Sequence, residues 1–296
     1  MVDFPNNNEP LPEIIETKLG PVELIRAGSG PKVLFIHGTP GGWDSSLSMG
    51  RFLIDAGFEL IAPSRPGYLG TPLDDNKTID QQADLHAATL DALGVEKAAV
   101  MSWSGGGPST YRLVIRHPQK VRKLVSFAAV SQGYLEPRES FEERLMEKTG
   151  FGNWILRFMT THAKKSTVKA TLNAEGDLAK EELTDLVNDT MSDEKMSEVV
   201  LTMATVVGDY SHRKQGITND WKQFGAIDSL GLERIDLPTM VIWGDADIDV
   251  PPAHSEHAAE AIPGAQKLIL KHGTHLALFV HPDARKAQQR VVELLR

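Results

Sequence analysis

Short apolar runs alternate along this chain with longer stretches in which apolar residues recur at helical spacing. The runs have the length of strands, and few polar residues interrupt them, which is typical of strands buried on both faces. They occupy 32–37, 59–62, 97–101, 121–130, 239–243 and 267–270, and two shorter runs at 14–17 and 22–25 predict a hairpin. Helical spacing occupies 43–56, 79–93, 109–117 and 285–295. The alternation predicts an α/β fold with a mostly parallel, doubly wound sheet covered by helices on both faces.

The alternation stops over a long central segment. From Tyr134 to about Leu232 no run has strand character, and Glu, Lys, Met and Leu predominate. Helical patches are predicted there at 141–148, 154–161 and 178–188. Because strand character returns afterwards, this segment is an insertion between two strands of the sheet. We predict a core formed by residues 1–131 and 235–296 and a helical insertion formed by residues 132–234.

Composition narrows the class of protein. The 296 residues are 41% hydrophobic and 24% charged, which suits one large globular domain with an insertion. The net charge of -9 speaks against nucleic acid and against an anionic membrane surface, since both attract basic surfaces. Without cysteine there is no thiol nucleophile, disulfide or thiolate metal site. The chain opens with no secretory signal, and no apolar run could span a bilayer, so we expect a cytoplasmic protein of unspecified oligomeric state.

One strand-to-helix junction carries a serine on a turn of small residues. Ser102-Trp103-Ser104-Gly105-Gly106 follows the strand run that ends at residue 101. A nucleophile elbow has small residues two positions before and two positions after the serine, which let the strand and the helix pass close together. Ser102 replaces the usual glycine, and neither Ser102 nor Ser109 has suitable neighbours. Ser104 is therefore the predicted nucleophile, although a plain tight turn has a similar composition.

The acid that would orient the base is expected on a loop after a strand. The loop after the next-to-last predicted strand offers three aspartates. Asp247, in the middle of this loop, is the predicted acid, and Asp245 and Asp249 are alternatives. Together with Glu256 these aspartates also have the spacing of a calcium loop, but Val250 stands where such a loop needs glycine. We expect no metal here.

Five histidines follow these aspartates in the chain, which is the order that an elbow serine requires. His275 lies in the loop after the last predicted strand, where Gly273 lets the chain bend. It is the predicted general base, and His272 is the alternative. His254 and His257 lie on a predicted helix and are expected on its solvated face rather than at a metal.

Acyl transfer also needs two donors for the oxyanion. One is normally the backbone N–H of the residue after the nucleophile, here Gly105. The second comes from a loop after an early strand, which His37-Gly38-Thr39-Pro40-Gly41-Gly42 fits. Thr39 would supply its N–H, because Pro40 has none to give.

With these residues in place, the chain resembles an α/β-hydrolase over nearly its whole length. The motifs that carry the resemblance are His37-Gly38-Thr39-Pro40-Gly41, Arg65-Pro66-Gly67-Tyr68, Ser102-Trp103-Ser104-Gly105-Gly106, Gly244-Asp245-Ala246-Asp247 and Gly273-Thr274-His275. The resemblance implies the same roles for Ser104, Asp247, His275, Thr39 and Gly105, and it makes the insertion a helical cap over the active site. Haloalkane dehalogenases and epoxide hydrolases of this family use an aspartate nucleophile, so Ser104 speaks against both.

The expected function is a serine hydrolase that cleaves small to medium, apolar carboxylic esters without a metal or organic cofactor. Apolar residues of the insertion either line the pocket or pack the insertion together; they are Phe151, Trp154, Ile155, Phe158, Met159, Met191, Met196 and Met203. An acyltransferase or perhydrolase, a lactonase, a C–C bond hydrolase and an aminopeptidase remain alternatives that would use the same triad. A ligand-binding receptor on the same scaffold is the non-enzyme alternative.

Overall fold

The computed structural model of the protein describes residues 10–135 and 160–296. Its strands are β1 (Glu13–Thr17), β2 (Gly20–Gly28), β3 (Lys32–Ile36), β4 (Glu59–Pro63), β5 (Ala98–Trp103), β6 (Val121–Phe127), β7 (Thr239–Gly244) and β8 (Gln266–Leu270). Its helices are α1 (Trp43–Asp55), α2 (Ile79–Ala92), α3 (Gly107–Arg116), α4 (Lys164–Ala174), α5 (Lys180–Ser192), α6 (Glu194–Val207), α7 (Lys214–Gly225), α8 (Pro252–Ala261) and α9 (Ala284–Leu295).

The strands form one mixed sheet in the order β1-β2-β4-β3-β5-β6-β7-β8. β1 pairs antiparallel with β2, and β2 pairs antiparallel with β4, whereas β3 to β8 run parallel. The carboxyl ends of the parallel strands therefore meet at one edge of the sheet. This confirms the predicted α/β fold with a mostly parallel sheet.

The apolar runs are continuous because both faces of the sheet are covered. Along β3, Val33 and Phe35 pack into one core cluster, and Leu34 and Ile36 pack into another. Successive side chains of a strand point to opposite faces, so each face of β3 has its own core. No polar alternation is possible in such a strand.

The run at 121–130 is longer than the strand that it forms. β6 ends at Phe127, and Ala128 has a φ of 45°, which takes the chain out of the extended conformation. The Ala128 N–H still donates to the carbonyl of Ile242 in β7, at 2.8 Å. The last three apolar residues of the run therefore belong to the loop at the carboxyl edge of the sheet.

Residues 132–234, for which the sequence predicts a helical insertion, lie between β6 and β7 along the chain, and we call them the inserted helical segment. In its described part it carries α4 to α7 and no strand; Gly176 forms one isolated bridge with Asp247. Val168, Val200 and Met203 of this segment share a core cluster with the sheet residues. The predicted patch at 178–188 matches α5, with bounds shifted by a few residues.

Several predictions for the inserted segment fall on residues outside the described ranges. They are the patch at 141–148, most of the patch at 154–161, and Phe151, Trp154, Ile155, Phe158 and Met159. Of the methionines that are described, Met203 is buried, Met196 packs against the core, and Met191 is exposed. Across the two described ranges, no helix has the length and apolar character needed to cross a membrane.

Candidate active site

Ser104 lies on the sharp turn between β5 and α3. Its φ of 53° is in the left-handed region, which a residue with a Cβ rarely adopts. Glycines make room for the turn. A Cβ on Gly106 would lie 2.6 Å from the carbonyl oxygens of Ile36 and His37. A Cβ on Gly38 would lie 2.7 Å from the Cβ of Ser104. The turn therefore holds Ser104 against the end of β3, at the carboxyl edge of the sheet.

Ser102 occupies the first small position of the elbow, within β5. It pairs with Ile36 on one side and with Ser126 on the other, and it is fully buried. Its Oγ has no hydrogen-bond partner among the described residues. A buried hydroxyl without a partner costs about 1–3 kcal/mol, so the serine fits here at a moderate cost to stability.

A hydrogen bond joins two of the predicted site residues, Asp247 and His275. Asp247 follows β7, His275 follows β8, and Asp247 Oδ2 lies 2.7 Å from Nδ1 of His275. Asp247 Oδ1 accepts the backbone N–H groups of Asp249 and Val250, at 2.9 and 3.0 Å, which fixes the carboxylate. Of the three candidate aspartates, Asp247 is therefore the one bonded to Nδ1, whereas Asp245 accepts the N–H of His272.

Trp103 connects the serine to this pair. Its indole ring lies 5.1 Å from the imidazole of His275, measured between ring centroids, and its Nε1 donates to the His275 carbonyl at 3.3 Å. Because Trp103 directly precedes Ser104, this packing brings the elbow and the histidine loop together. Ser104, Asp247 and His275 are all buried.

Two more acidic residues contact His275, one through its carboxylate and one through its backbone. Asp249 Oδ2 lies 3.1 Å from Nε2, close enough for an ion pair, but Nε2 has no partner of good hydrogen-bond geometry among the described residues. Glu175 belongs to the inserted segment, and its backbone carbonyl accepts the N–H of His275 at 2.9 Å. Sequence reasoning missed Glu175, because nothing in its local pattern marks a residue that reaches the site from another part of the fold.

These carboxylates control the charge of the imidazole. Burial by itself would lower the pKa of His275, but the carboxylates of Asp247 and Asp249 outweigh burial and raise it to about 10. The side chain of Asp249 is 44% exposed and that of Asp247 is fully buried, so water screens Asp249 more strongly. Burial raises the pKa of Glu175 to about 8, and the nearby charge of Asp249 adds to the rise. Near pH 7 the arrangement favours a charged His275 and a neutral Glu175.

Glu175, Asp249 and His275 also offer the kinds of atoms that hold metals. One possible ligand atom from each lies within 4.8 Å of the others. A metal there would occupy Nε2, the nitrogen that the predicted general base would need free. The calcium-loop alternative is not supported either, because Asp245 and Asp247 bond to different partners.

The loop after β3 packs against the elbow. A Cβ on Gly105 would collide with the hydroxyl of Thr39, so these two predicted oxyanion donors lie side by side. The same Cβ would lie 3.0 Å from Cζ of Phe224, which belongs to α7 in the inserted segment. Residues of the core and of the inserted segment thus meet at Gly105.

The prediction of a solvated face for His254 was wrong. His254 is buried, and its Nδ1 accepts the N–H of Ser131 at 3.3 Å. His257 is half-buried and bonds to the hydroxyl of Ser131. The face is covered because the chain after β6 runs across α8. His272, the alternative base, is exposed and lies 3.0 Å from Glu182, away from Asp247.

A surface groove of about 570 Å³ lies elsewhere, lined by residues of β2 and α1 together with Glu13 and Glu59. None of the predicted site residues lines it. The groove therefore lies apart from the carboxyl edge of the sheet, where the predicted site residues converge.

The sheet order, the elbow and the loops at its carboxyl edge define a class of protein. The sequence profile of the alpha/beta hydrolase fold family matches residues 31–282. The chain belongs to this family and is an enzyme, since its relatives carry the names of hydrolases and esterases.

Particular relatives extend over nearly the whole chain. An alpha/beta hydrolase fold protein from Nakamurella multipartita has a solved structure with 45% identity and a TM-score of 0.94, covering 96% of this chain and 99% of that one. The 2-hydroxy-6-oxo-6-phenylhexa-2,4-dienoate hydrolase of Burkholderia cepacia is 28% identical over 277 residues, which are 89% of this chain and 87% of that protein. A pimeloyl-(acyl-carrier protein) methyl ester esterase of Neisseria meningitidis is 25% identical, covering 88% of this chain and 92% of that protein.

Proposed function

We propose that the protein hydrolyses carboxylic esters of small to medium, apolar substrates through an acyl-enzyme on Ser104. The observation that carries the proposal is a strained elbow serine whose neighbour Trp103 packs against a buried histidine, with Nδ1 of that histidine bonded to Asp247 at 2.7 Å. A hydroxyl on such a turn becomes nucleophilic when an oriented base removes its proton. His275 is the base in this proposal, and Asp247 is the orienting acid.

The first half of the reaction forms the acyl-enzyme. Ser104 Oγ attacks the ester carbonyl carbon while Nε2 of His275 takes the hydroxyl proton. The backbone N–H groups of Thr39 and Gly105 donate to the oxyanion, and each is worth about 3 kcal/mol of transition-state stabilisation. We call residues 37–42 the oxyanion loop. The C–O bond then breaks, and the imidazolium returns the proton to the departing alcohol.

The second half releases the acid. Water attacks the acyl carbonyl, Nε2 takes a proton from that water, and the same two N–H groups stabilise the second tetrahedral intermediate. Ser104 leaves as the hydroxyl, with its proton returned by His275. Asp247 keeps Nδ1 protonated and Nε2 directed at the reacting atoms throughout both halves.

An apolar wall beside Gly105 supports an apolar substrate. Phe224 and Val130 are buried and pack with Val250 in one cluster, and Trp221 and Tyr134 pack against it. Apolar groups that bind against such a wall are stabilised because they leave water.

Contacts of the inserted segment support its role as a cap. Asp177 N donates to the Ala246 carbonyl at 2.9 Å, so the segment touches the loop that carries Asp247.

Cleavage of a C–C bond is the second candidate, because relatives named as 2-hydroxy-6-oxo-dienoate hydrolases match most of the chain. Such an activity would use the same serine on a different carbonyl compound. Product analysis on paired substrates, an aryl ester and a vinylogous diketone, separates the two candidates. Release of acid and alcohol from the ester alone supports the esterase.

The proposal is tested by replacing the nucleophile. Ser104→Ala should lower kcat on p-nitrophenyl butyrate by at least about 10³-fold and abolish labelling by a fluorophosphonate. Ser102→Ala is the matched control, since it removes a buried hydroxyl two residues earlier that has no described partner. This control should keep both signals. An active, labelled Ser104→Ala enzyme would refute the proposal.

A further inference from the structure

A buried ionic network joins the inserted helical segment to the oxyanion loop. Asp220 lies on α7, and Arg65 and Tyr68 lie on the loop after β4. Arg65 and Asp220 are each only 1% exposed, and Tyr68 is fully buried. Charges so far from water persist only when they are paired and hydrogen-bonded, so this network has a fixed geometry.

One oxygen of Asp220 holds the side chain of Thr39. Asp220 Oδ2 accepts hydrogen bonds from Thr39 Oγ1, from Arg65 Nη2 and from the Tyr68 hydroxyl, each at 2.6 Å. The other oxygen accepts from Arg65 Nη1 at 2.9 Å. Asp220, on a helix of the inserted segment, thus accepts a hydrogen bond directly from a residue of the oxyanion loop.

Arg65 fixes the direction of the Thr39 N–H. Its Nη2 donates to the carbonyl of Gly38 at 3.0 Å and to Thr39 Oγ1 at 2.9 Å, and its Nε donates to the carbonyl of His37 at 3.0 Å. The Gly38 carbonyl and the Thr39 N–H belong to one peptide unit. Because the peptide is planar, holding the carbonyl also sets the orientation of that N–H.

We propose that Asp220 is a positioning residue for the oxyanion hole, so that the inserted helical segment completes the catalytic geometry. The inference rests on the proposed function, which gives the Thr39 N–H its role. Phe224, one helical turn further along α7, packs beside Gly105, the other donor. A single helix of the inserted segment therefore contacts both donors. Displacing it would weaken transition-state binding more than substrate binding.

The simplest test removes the two hydrogen bonds of the Thr39 hydroxyl, with Asp220 and with Arg65, and leaves the Arg65–Asp220 ion pair intact. Thr39→Val keeps the shape of the side chain and loses the hydroxyl that Asp220 accepts. We expect kcat on p-nitrophenyl butyrate to fall about tenfold with KM within about twofold, because the donor loses its orientation. Thr39→Ser keeps the hydroxyl and should restore kcat. Asp220→Asn should lower kcat by about 100-fold.

The matched control is Asn219→Ala on the same helix. Asn219 is buried and donates to the carbonyl of Lys77 at 2.8 Å, so the variant loses a bond between α7 and the core that does not touch the oxyanion loop. It should lower the melting temperature while kcat stays within about twofold. Thermal unfolding of every variant separates a loss of stability from a loss of positioning.

A tetrahedral mimic provides a readout that a structural role would not move. An alkyl trifluoromethyl ketone binds as an adduct of Ser104, and the matching methyl ketone binds without one. In Thr39→Val the affinity for the trifluoromethyl ketone should fall as much as kcat/KM falls, and the affinity for the methyl ketone should stay constant. If kcat and adduct affinity are unchanged in Thr39→Val, this inference is overturned and the proposed function still stands. Failure of wild-type enzyme to react with ester or fluorophosphonate would overturn the proposed function and this inference with it.

Discussion

His275 is a residue with a carboxylate facing each ring nitrogen. Asp247 Oδ2 lies 2.7 Å from Nδ1, and Asp249 Oδ2 lies 3.1 Å from Nε2. Glu175 is the third acid that faces this imidazole. A general base must be neutral to take a proton, and both carboxylates favour the charged form. The raised pKa of His275 therefore favours the imidazolium near pH 7, and a rise in pH favours the neutral base that would activate Ser104.

This arrangement predicts an alkaline profile for the wild-type enzyme. The raised pKa of His275, about 10, means that kcat/KM should increase with pH through the range from 7 to about 10, as the imidazolium loses its proton. Asp249→Asn removes one charge that stabilises the imidazolium, so the midpoint should move to lower pH. Activity at pH 7 should then rise severalfold. The measurement is kcat/KM of a neutral ester between pH 5 and 10.

The control for this prediction is Asp245→Asn on the same loop. Asp245 is exposed and accepts the N–H of His272, so its charge does not face Nε2. The pH midpoint of this variant should match that of the wild type. If Asp249→Asn and Asp245→Asn have the same midpoint, Asp249 does not control the protonation of His275.

At the scale of elements, the junction of β5 and α3 depends on how closely its backbone passes the backbone at the end of β3. α3 begins where Gly106 passes the end of β3, and a Cβ there would lie 2.6 Å from two backbone carbonyl oxygens. Backbone atoms cannot rotate away as a side chain can, so an added methyl group would push α3 off the sheet.

Gly106→Ala should therefore lose both stability and activity. We expect the free energy of unfolding to fall by about 1–3 kcal/mol and fluorophosphonate labelling of Ser104 to slow at least tenfold. Urea denaturation and labelling rates measure the two effects. Gly225→Ala is the matched control, because its Cβ would lie 3.3 Å from the end of the Leu135 side chain, which can yield. Equal behaviour of the two variants would show that the close approach at Gly106 is unimportant.

At the scale of the whole molecule, the sequence predicts which residues gather at the edge of the sheet, but it does not predict which residues of the inserted segment contact them. Ser104, Asp247 and His275 each follow a predicted strand, and a parallel sheet brings the ends of its strands to one edge. Local pattern therefore predicts that they lie near each other. Glu175 and Asp220 lie in the inserted helical segment. Helical periodicity gives no register between this segment and the core, so the contacts of these two acids emerge only in the folded structure.

Two of the ion pairs that join the inserted segment to α1 differ in burial. Arg213 is fully buried and bonds to Asp44, with Nη2 2.6 Å from Oδ2, and also to the carbonyl of Gly41. Lys195 pairs with Asp55 at 2.7 Å, but its side chain is 74% exposed. Both pairs connect the same two parts of the molecule, so they differ mainly in how far water reaches them.

Removing one partner should therefore have very different effects at the two positions. Arg213→Met leaves the Asp44 carboxylate buried without its partner and should reduce the free energy of unfolding by about 3–5 kcal/mol. Lys195→Met removes an exposed partner that water replaces, and should cost less than about 1 kcal/mol. Urea denaturation of both variants measures the difference.

The double variant Arg213→Met, Asp44→Leu should recover part of the loss, because no charge then remains buried alone. Equal losses for Arg213→Met and Lys195→Met would mean that burial does not set the strength of these connections. A double variant no more stable than Arg213→Met would instead assign the loss to packing and to the bond with Gly41.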